Sequence, residues 1–426
     1  MQVLIILSIM AVSFIVALFF IKLSPELSII IVALAGLFSS AIIFSEWGDV
    51  IRHFVEGSTT FLDIMLTVIA ATLFMNICKE LGILSAIMRS IVLLFSRSRT
   101  IIIIVVMLFL LLPGALTGAG SVSVLISGDI AAIILGCLGV PILNIAGIIF
   151  IGSVLSVAAP PVNIYAMIMS AGVNMPYTGF FVPLIIPTVS IAIFSGLFLA
   201  RKGTPLNVEE AMIKLPKPPD KLTGFMIYLP FIVLIGLMVS VRIIPHLMPV
   251  LGVPLQFIIS TIVAVIVGFL SGIKINIWKI SLDTISQLFS LLAVLVAIGI
   301  LIQVMSLTGV RGLFVITILT MPVFFVYLAI IIGLPIGEAI LLFGVSSVLG
   351  VPLVLYFSSM AKDAILVTAA ISLIAPLGDA LPPTALIGRL ITSKLNLTDS
   401  YGSFLKKTMV PWVVITITAL AMIFFA

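Results

Sequence analysis

The chain has 426 residues, of which 63% are apolar and only 8% charged, with a mean hydropathy of +1.47. A soluble domain runs about 45–50% apolar and roughly 25% charged, so this composition reads as an integral membrane protein. It excludes a cytosolic enzyme, a nucleic-acid binder and a disordered chain, and the net charge of +5 is assigned to the cytoplasmic ends of spans rather than to an acidic ligand.

The apolar runs are about twenty residues long, which is the length of a spanning helix and about twice that of a barrel strand. The first, Gln2 to Ile21, lacks a basic leader and a small-residue cleavage site, so it is read as a retained span. Further spans are expected at 27–44, 60–80, 100–116, 123–140, 142–172, 178–200, 224–243, 250–272, 286–308, 313–332, 338–358, 362–388 and 408–426. Amphipathic stretches near 46–58 and 275–285, opened by Trp47 and Trp278, precede two of them. Residues 201–223 form a basic cytoplasmic linker between a first half, 1–200, and a second, 224–426.

If 100–140 and 313–358 are re-entrant hairpins and the N-terminus is outside, sixteen Lys and Arg residues fall inside. Only Arg52, Arg242, Arg311 and Lys362 fall outside. The acidic residues Glu46, Asp49 and Glu56 then lie outside, as do His53 and His246. Cys78 and Cys137 sit in apolar stretches and read as buried small hydrophobes.

The halves repeat. Leu112-Pro113 recurs as Leu334-Pro335 and Pro160-Pro161 as Pro382-Pro383, both at an offset of 222, while Leu81-Gly82 has a counterpart in Thr308-Gly309. Five full crossings and one hairpin in each half turn the second copy upside down. The expected fold is therefore all-α, with two inverted repeats, re-entrant hairpins, Pro-Pro-broken helices and an elevator mode of transport.

Chemistry is expected where Gly and Pro break helices at membrane depth, because freed backbone groups there face protein or a water-filled cavity. At the first tip, Gly114, Thr117, Gly118 and Ser121 offer carbonyls and hydroxyls to a cation, with small-residue helix packing as the alternative, and Ser123 is assigned to the substrate. At the first Pro-Pro break the Ser156 carbonyl suits a cation, while Pro160, Pro161 and Asn163 suit a substrate. The second tip is placed at Gly333–Glu338, with Gly333 as a cation ligand and Glu338 as a helix-start cap or a direct site residue. At the second break Asp379 is either a cation ligand or a cap on the broken backbone, since a bare carboxylate at that depth is costly. Pro382, Pro383 and Thr384 are candidate substrate contacts there, and Arg389 either binds an anion or snorkels to the interface. Asp129 either lines a cavity or pairs internally. No catalytic motif, metal centre or organic cofactor is indicated, so the chain is not read as an enzyme.

The glycine and hydroxyl tip at 114–123, Gly-Val-Pro at 139–141, the breaks at 160–161 and 382–383 and the hairpin at 333–358 together resemble the large membrane subunit of TRAP (tripartite ATP-independent periplasmic) transporters. The resemblance implies a secondary active importer of a small organic anion, such as a carboxylate, driven by Na⁺. It implies a bacterial inner-membrane location and two partners, a small four-helix membrane subunit and a periplasmic substrate-binding protein. A stand-alone anion symporter of the same superfamily and a channel are the alternatives.

Overall fold

The computed structural model describes residues 2–44, 47–219, 222, 224–244, 252–397 and 400–426; Glu46, Lys221 and His246 lie outside the described residues. Every regular element described is helical, and ten helices among the described residues are long and apolar enough to cross a membrane. The chain opens with α1 (Gln2–Ile15), which continues through a π turn to Phe20, then α2 (Pro25–Phe44), the amphipathic α3 (Trp47–Thr59), α4 (Leu62–Glu80) and α5 (Ile83–Leu94). A tight pair follows, α6 (Arg99–Thr117) and α7 (Gly120–Cys137), then α8 (Ile142–Ala158), α9 (Ile164–Gly172), α10 (Phe181–Leu199) and the short linker helix α11 (Val208–Lys214).

The second half runs α12 (Leu229–Ile243), α13 (Val253–Leu270), α14 (Ile277–Leu307) and α15 (Val310–Thr320). It continues with α16 (Val323–Leu328), α17 (Leu334–Leu341), α18 (Val351–Ser359), α19 (Ala364–Ile374), α20 (Leu386–Lys394) and α21 (Tyr401–Phe425).

Local chemistry explains the boundaries. Ser98, Asn163, Asn207, Asn276, Asp363 and Ser400 each accept a backbone N–H of the following first turn, capping α6, α9, α11, α14, α19 and α21. Gly118 closes α6 with φ 71°, a left-handed conformation that a Cβ disfavours, and this lets α7 start two residues later beside α6. Gly82 and Gly309 occupy matching left-handed positions, φ 75° in each, at the starts of α5 and α15. Both Pro-Pro bonds are cis.

Three boundaries differ from the sequence reading. The amphipathic stretch at 275–285 and the span after it are one helix of 31 residues, because no Pro or Gly interrupts it before Gly299. The run expected at 313–332 is two pieces, α15 and the start of the second hairpin, divided at Pro322. The second tip lies at Leu342–Val345, beyond Gly333–Glu338, which belongs to the first arm. Pro335 does not end that arm, since a π turn at Ala329–Gly333 precedes it and the chain re-enters α-helix with Pro335 in the first turn of α17, where its missing N–H costs little.

Two packing groups emerge. In one, α14 lies against α2, α3 and α4, α13 packs on α4 and α12, and α1 covers α2. In the other, α8 is central and touches α6, α7, α10, α20 and α21, while α19 packs on α9 and α21. Polar bonds tie the first group: Asn76 Nδ2 donates to Thr284 Oγ1 at 2.9 Å and to Gln287 Oε1 at 3.2 Å, and Ser290 Oγ donates to Glu26 Oε1 at 2.7 Å. Such bonds between membrane helices contribute about 0.6 kcal/mol each. They add registry to a contact made chiefly by apolar packing.

Candidate functional site

A cavity of about 230 Å³ lies between the two groups. The tip of the first hairpin supplies Ala119, Gly120 and Ser121. Helix α14 supplies Gln287 and Ser290, the second hairpin supplies Glu338, Leu342 and Phe343, and the turn after α19 supplies Asp379. Leu386, Ile387 and Leu390 of α20 close it with apolar surface.

The polar centre of this cavity is a pair of carboxyl groups. Glu338 is 1% exposed and Asp379 5% exposed, and the two interact electrostatically. Their approach follows from Gly378: its backbone lies so near α17 that a Cβ there would sit 2.2 Å from the Pro335 carbonyl oxygen and 2.5 Å from the Glu338 Cβ. The Tyr165 hydroxyl, wholly buried on α9, donates to Glu338 Oε1 at 2.5 Å. Glu338 Oε2 and Gln287 Nε2 are buried with no hydrogen-bond partner among the described residues. Charge buried at this depth is costly, and a bound proton or cation offsets part of that cost.

The residues singled out in the sequence divide among this cavity, the packing around it, a separate cavity and the exposed surface. Ser121 and Asp379 line it. Thr117 Oγ1 donates to the Pro113 carbonyl at 2.7 Å, Ser156 Oγ to that of Ser153 at 2.6 Å, and Ser123 Oγ to that of Leu110. Gly114 packs so closely on α8 that a Cβ would meet Ser156 Oγ at 1.8 Å. Gly118 shapes the tip, and Gly333 lies in the π turn before α17. Pro160 and Pro161 line a separate cavity of about 490 Å³ with Tyr177 and Phe180. Pro382, Pro383 and Arg389 are exposed, and Thr384 Oγ1 donates to the Ala339 carbonyl at 2.9 Å, pinning the second break to the second hairpin.

Asn163 is committed to structure rather than to a free substrate contact. Its Oδ1 accepts the Ala166 N–H, and its Nδ2 donates to the Ala158 carbonyl and, at 2.9 Å, to Ser372 Oγ on α19. Asn163→Ala removes a helix cap and a buried inter-helix bond, so it is expected to lower stability by about 1–2 kcal/mol. Thermal unfolding of the detergent-solubilised protein should show this loss. A variant as stable as the parent contradicts the structural assignment.

Beside the cavity lies a charged vestibule of about 320 Å³ that includes Lys79, Glu80, Lys274, Lys279 and Asp283 and shares Gln287 with it. Asp129, its side chain 59% exposed, pairs with Lys394 at 3.0 Å. The Lys394 ammonium also donates to the Val124 carbonyl, and that of Lys79 to the Leu125 carbonyl, each at 2.9 Å. Sequence reasoning missed Tyr165 and Gln287 and left Glu338 between two roles. The available signal was the rarity of a carboxylate inside an apolar stretch, which Glu338 shares with Asp379.

No family model matches the chain, and no curated protein matches it in sequence. Solved structures match in fold. Neisseria gonorrhoeae MtrF, described as illuminating a class of antimetabolite efflux pumps, superposes with a TM-score of 0.66 at 15% identity over 94% of each chain. The YdaH transporter of Alcanivorax borkumensis, described as having an unusual topology, gives 0.59 at 15% identity over 87% of this chain and 86% of its own. At that identity the likeness is one of fold, and it is the fold of membrane transporters.

The chain is thus a multi-pass membrane protein with a transporter fold. The match to an efflux-pump class and to YdaH overturns the expectation of a Na⁺-coupled organic-anion importer built as a TRAP large subunit. The small membrane subunit and the periplasmic binding protein were implied by that resemblance alone.

Proposed function

We propose that the chain is a secondary carrier that exports a small organic solute in exchange for protons, with Glu338 and Asp379 as the proton-carrying pair. The observation that carries this reading is the burial of both carboxyl groups in one cavity between the packing groups, with Glu338 Oε2 unpartnered. A proton on one carboxyl removes one of two mutually repelling charges and needs no ring of oxygen ligands. The outward direction and the solute class, antimetabolite-like molecules, follow the class named for MtrF. The lining has the make-up of a small-molecule site: apolar Leu342, Phe343, Leu386 and Leu390 surround a few polar groups.

The reading includes two inverted halves, 1–200 and 224–426, joined by the linker 201–223. Its support is the matching order of a glycine-started helix, a hairpin, a Pro-Pro-broken helix and a final span in each half. An elevator motion of the α8-centred group past α14 is supported by the position of the cavity between them. Arg89 donates to the Met212 and Leu215 carbonyls and Arg99 to that of Ala200, so basic residues gather around the linker. This supports a cytoplasmic linker.

Lys217 is exposed on that linker, whereas a side chain at Gly203 would meet the Leu138 carbonyl oxygen at 2.6 Å. Lys217→Cys is therefore the topology probe. It should resist an impermeant thiol reagent added to intact cells and react once the membrane is opened. Rapid labelling in intact cells reverses the topology. The function is tested in proteoliposomes holding a pH-sensitive dye: adding a transported antimetabolite should move protons, and a panel that never does so removes the proposal.

A further inference from the structure

The α8-centred group carries a second polar cavity, of about 410 Å³, far in character from the carboxylate site. It opens where α10 ends, beside the loop that starts α8 and the first turns of α21. Arg201, Lys202, Lys406 and Lys407 line it, and no carboxylate does. All four are exposed, and none forms an ion pair among the described residues. The Arg201 guanidinium is held 4.6 Å above the Phe198 ring, which fixes its position by cation–π attraction. Asn144 Nδ2 donates to the Leu199 carbonyl at 2.7 Å, tying the first turn of α8 to the end of α10.

Four unpaired cations around one mouth repel one another unless an anion joins them. The wall beside them is apolar: Ile142 and Val410 line the cavity and are exposed, and Met409 and Val413 continue that apolar surface along α21. A soluble anion would satisfy the cations and leave this wall in water. A phosphodiester headgroup with acyl chains satisfies both, since the headgroup meets the cations where the apolar helix surface ends.

We propose that this cavity binds an acidic glycerophospholipid, its phosphodiester held by Arg201, Lys202, Lys406 and Lys407 and its acyl chains laid along Ile142, Val410 and Val413. The site is distinct from the transport cavity, and the proposal stands whether or not the carboxyl pair carries protons.

The test is native mass spectrometry of the full chain in detergent, titrated with phosphatidylglycerol or phosphatidylcholine, alongside thermal unfolding in inorganic phosphate. Phosphatidylglycerol should be retained over phosphatidylcholine. Either double variant, Arg201→Gln with Lys202→Gln or Lys406→Gln with Lys407→Gln, should weaken retention about thirtyfold. The vestibule double variant Lys274→Gln with Lys279→Gln should leave retention unchanged, and Arg201→Lys should preserve most of it. Equal retention of the two lipids overturns the proposal. So does an equal loss in the vestibule variant, or inorganic phosphate stabilising the chain as well as phosphatidylglycerol does.

Discussion

Asp379→Asn and Glu338→Gln are each expected to give a folded, membrane-inserted protein whose transport no longer responds to a proton gradient. Both changes keep side-chain size. Glu338→Gln keeps an oxygen that can accept the Tyr165 hydroxyl, so the packing of α9 on α17 survives. The group that can gain and lose a proton in the cavity is what disappears. Gradient-driven flux should fall at least about a hundredfold, the scale expected when a proton-transfer group is removed. Counterflow of solute under equal pH on both sides should persist, because it needs only the loaded carrier to reorient. A purely structural carboxylate would behave differently: both kinds of flux would fall together with stability, or neither would change.

Gly378→Ala is expected to damage the protein more than any exposed substitution of similar size. The added Cβ meets the Pro335 carbonyl oxygen at 2.2 Å and the Ala339 backbone nitrogen at 2.9 Å, and neither can swing aside as a side-chain tip would. The second hairpin and the turn after α19 must separate, which moves Glu338 away from Asp379. Overpacking of a tight contact costs about 1–3 kcal/mol, and here the strain falls on backbone. A drop in unfolding temperature together with loss of coupled flux should follow. A variant with the parent's stability and flux would mean that the close packing of α17 on that turn is not needed.

The all-helical, membrane-spanning architecture was legible because burial in lipid forces long apolar helices, and the breaks at 160–161 and 382–383 were legible because proline cannot donate to a helix. The first tip was readable for a similar reason, since Gly118 takes the left-handed turn it needs. The second tip was not. Gly333-Leu334-Pro335 has the composition of a break, yet the π turn absorbs it and the chain turns at Leu342, a residue with no such mark. The centre of the site was only half legible. Asp379 announced itself as a carboxylate beside a break, but its companions come from distant places: Tyr165 and Glu338 are 173 positions apart. No local pattern reports such a meeting.

The family resemblance misled for a physical reason. Gly-rich tips and Pro-Pro breaks meet a backbone requirement that carriers with broken helices share. They identify the type of scaffold and carry little about solute, coupling ion or partners. On the function proposed above, solute choice rests with cavity-lining side chains such as Gln287, Ser290, Phe343 and Leu390, which look like ordinary span residues in sequence.

The most direct test of the central claim is solute accumulation in inside-out membrane vesicles under an imposed proton gradient, acid inside. The lumen then stands for the cell exterior. A transported antimetabolite should accumulate inside above its outside concentration, collapse to equality on adding a protonophore, and fail to accumulate with Asp379→Asn. Accumulation that survives both the protonophore and that substitution would contradict the account.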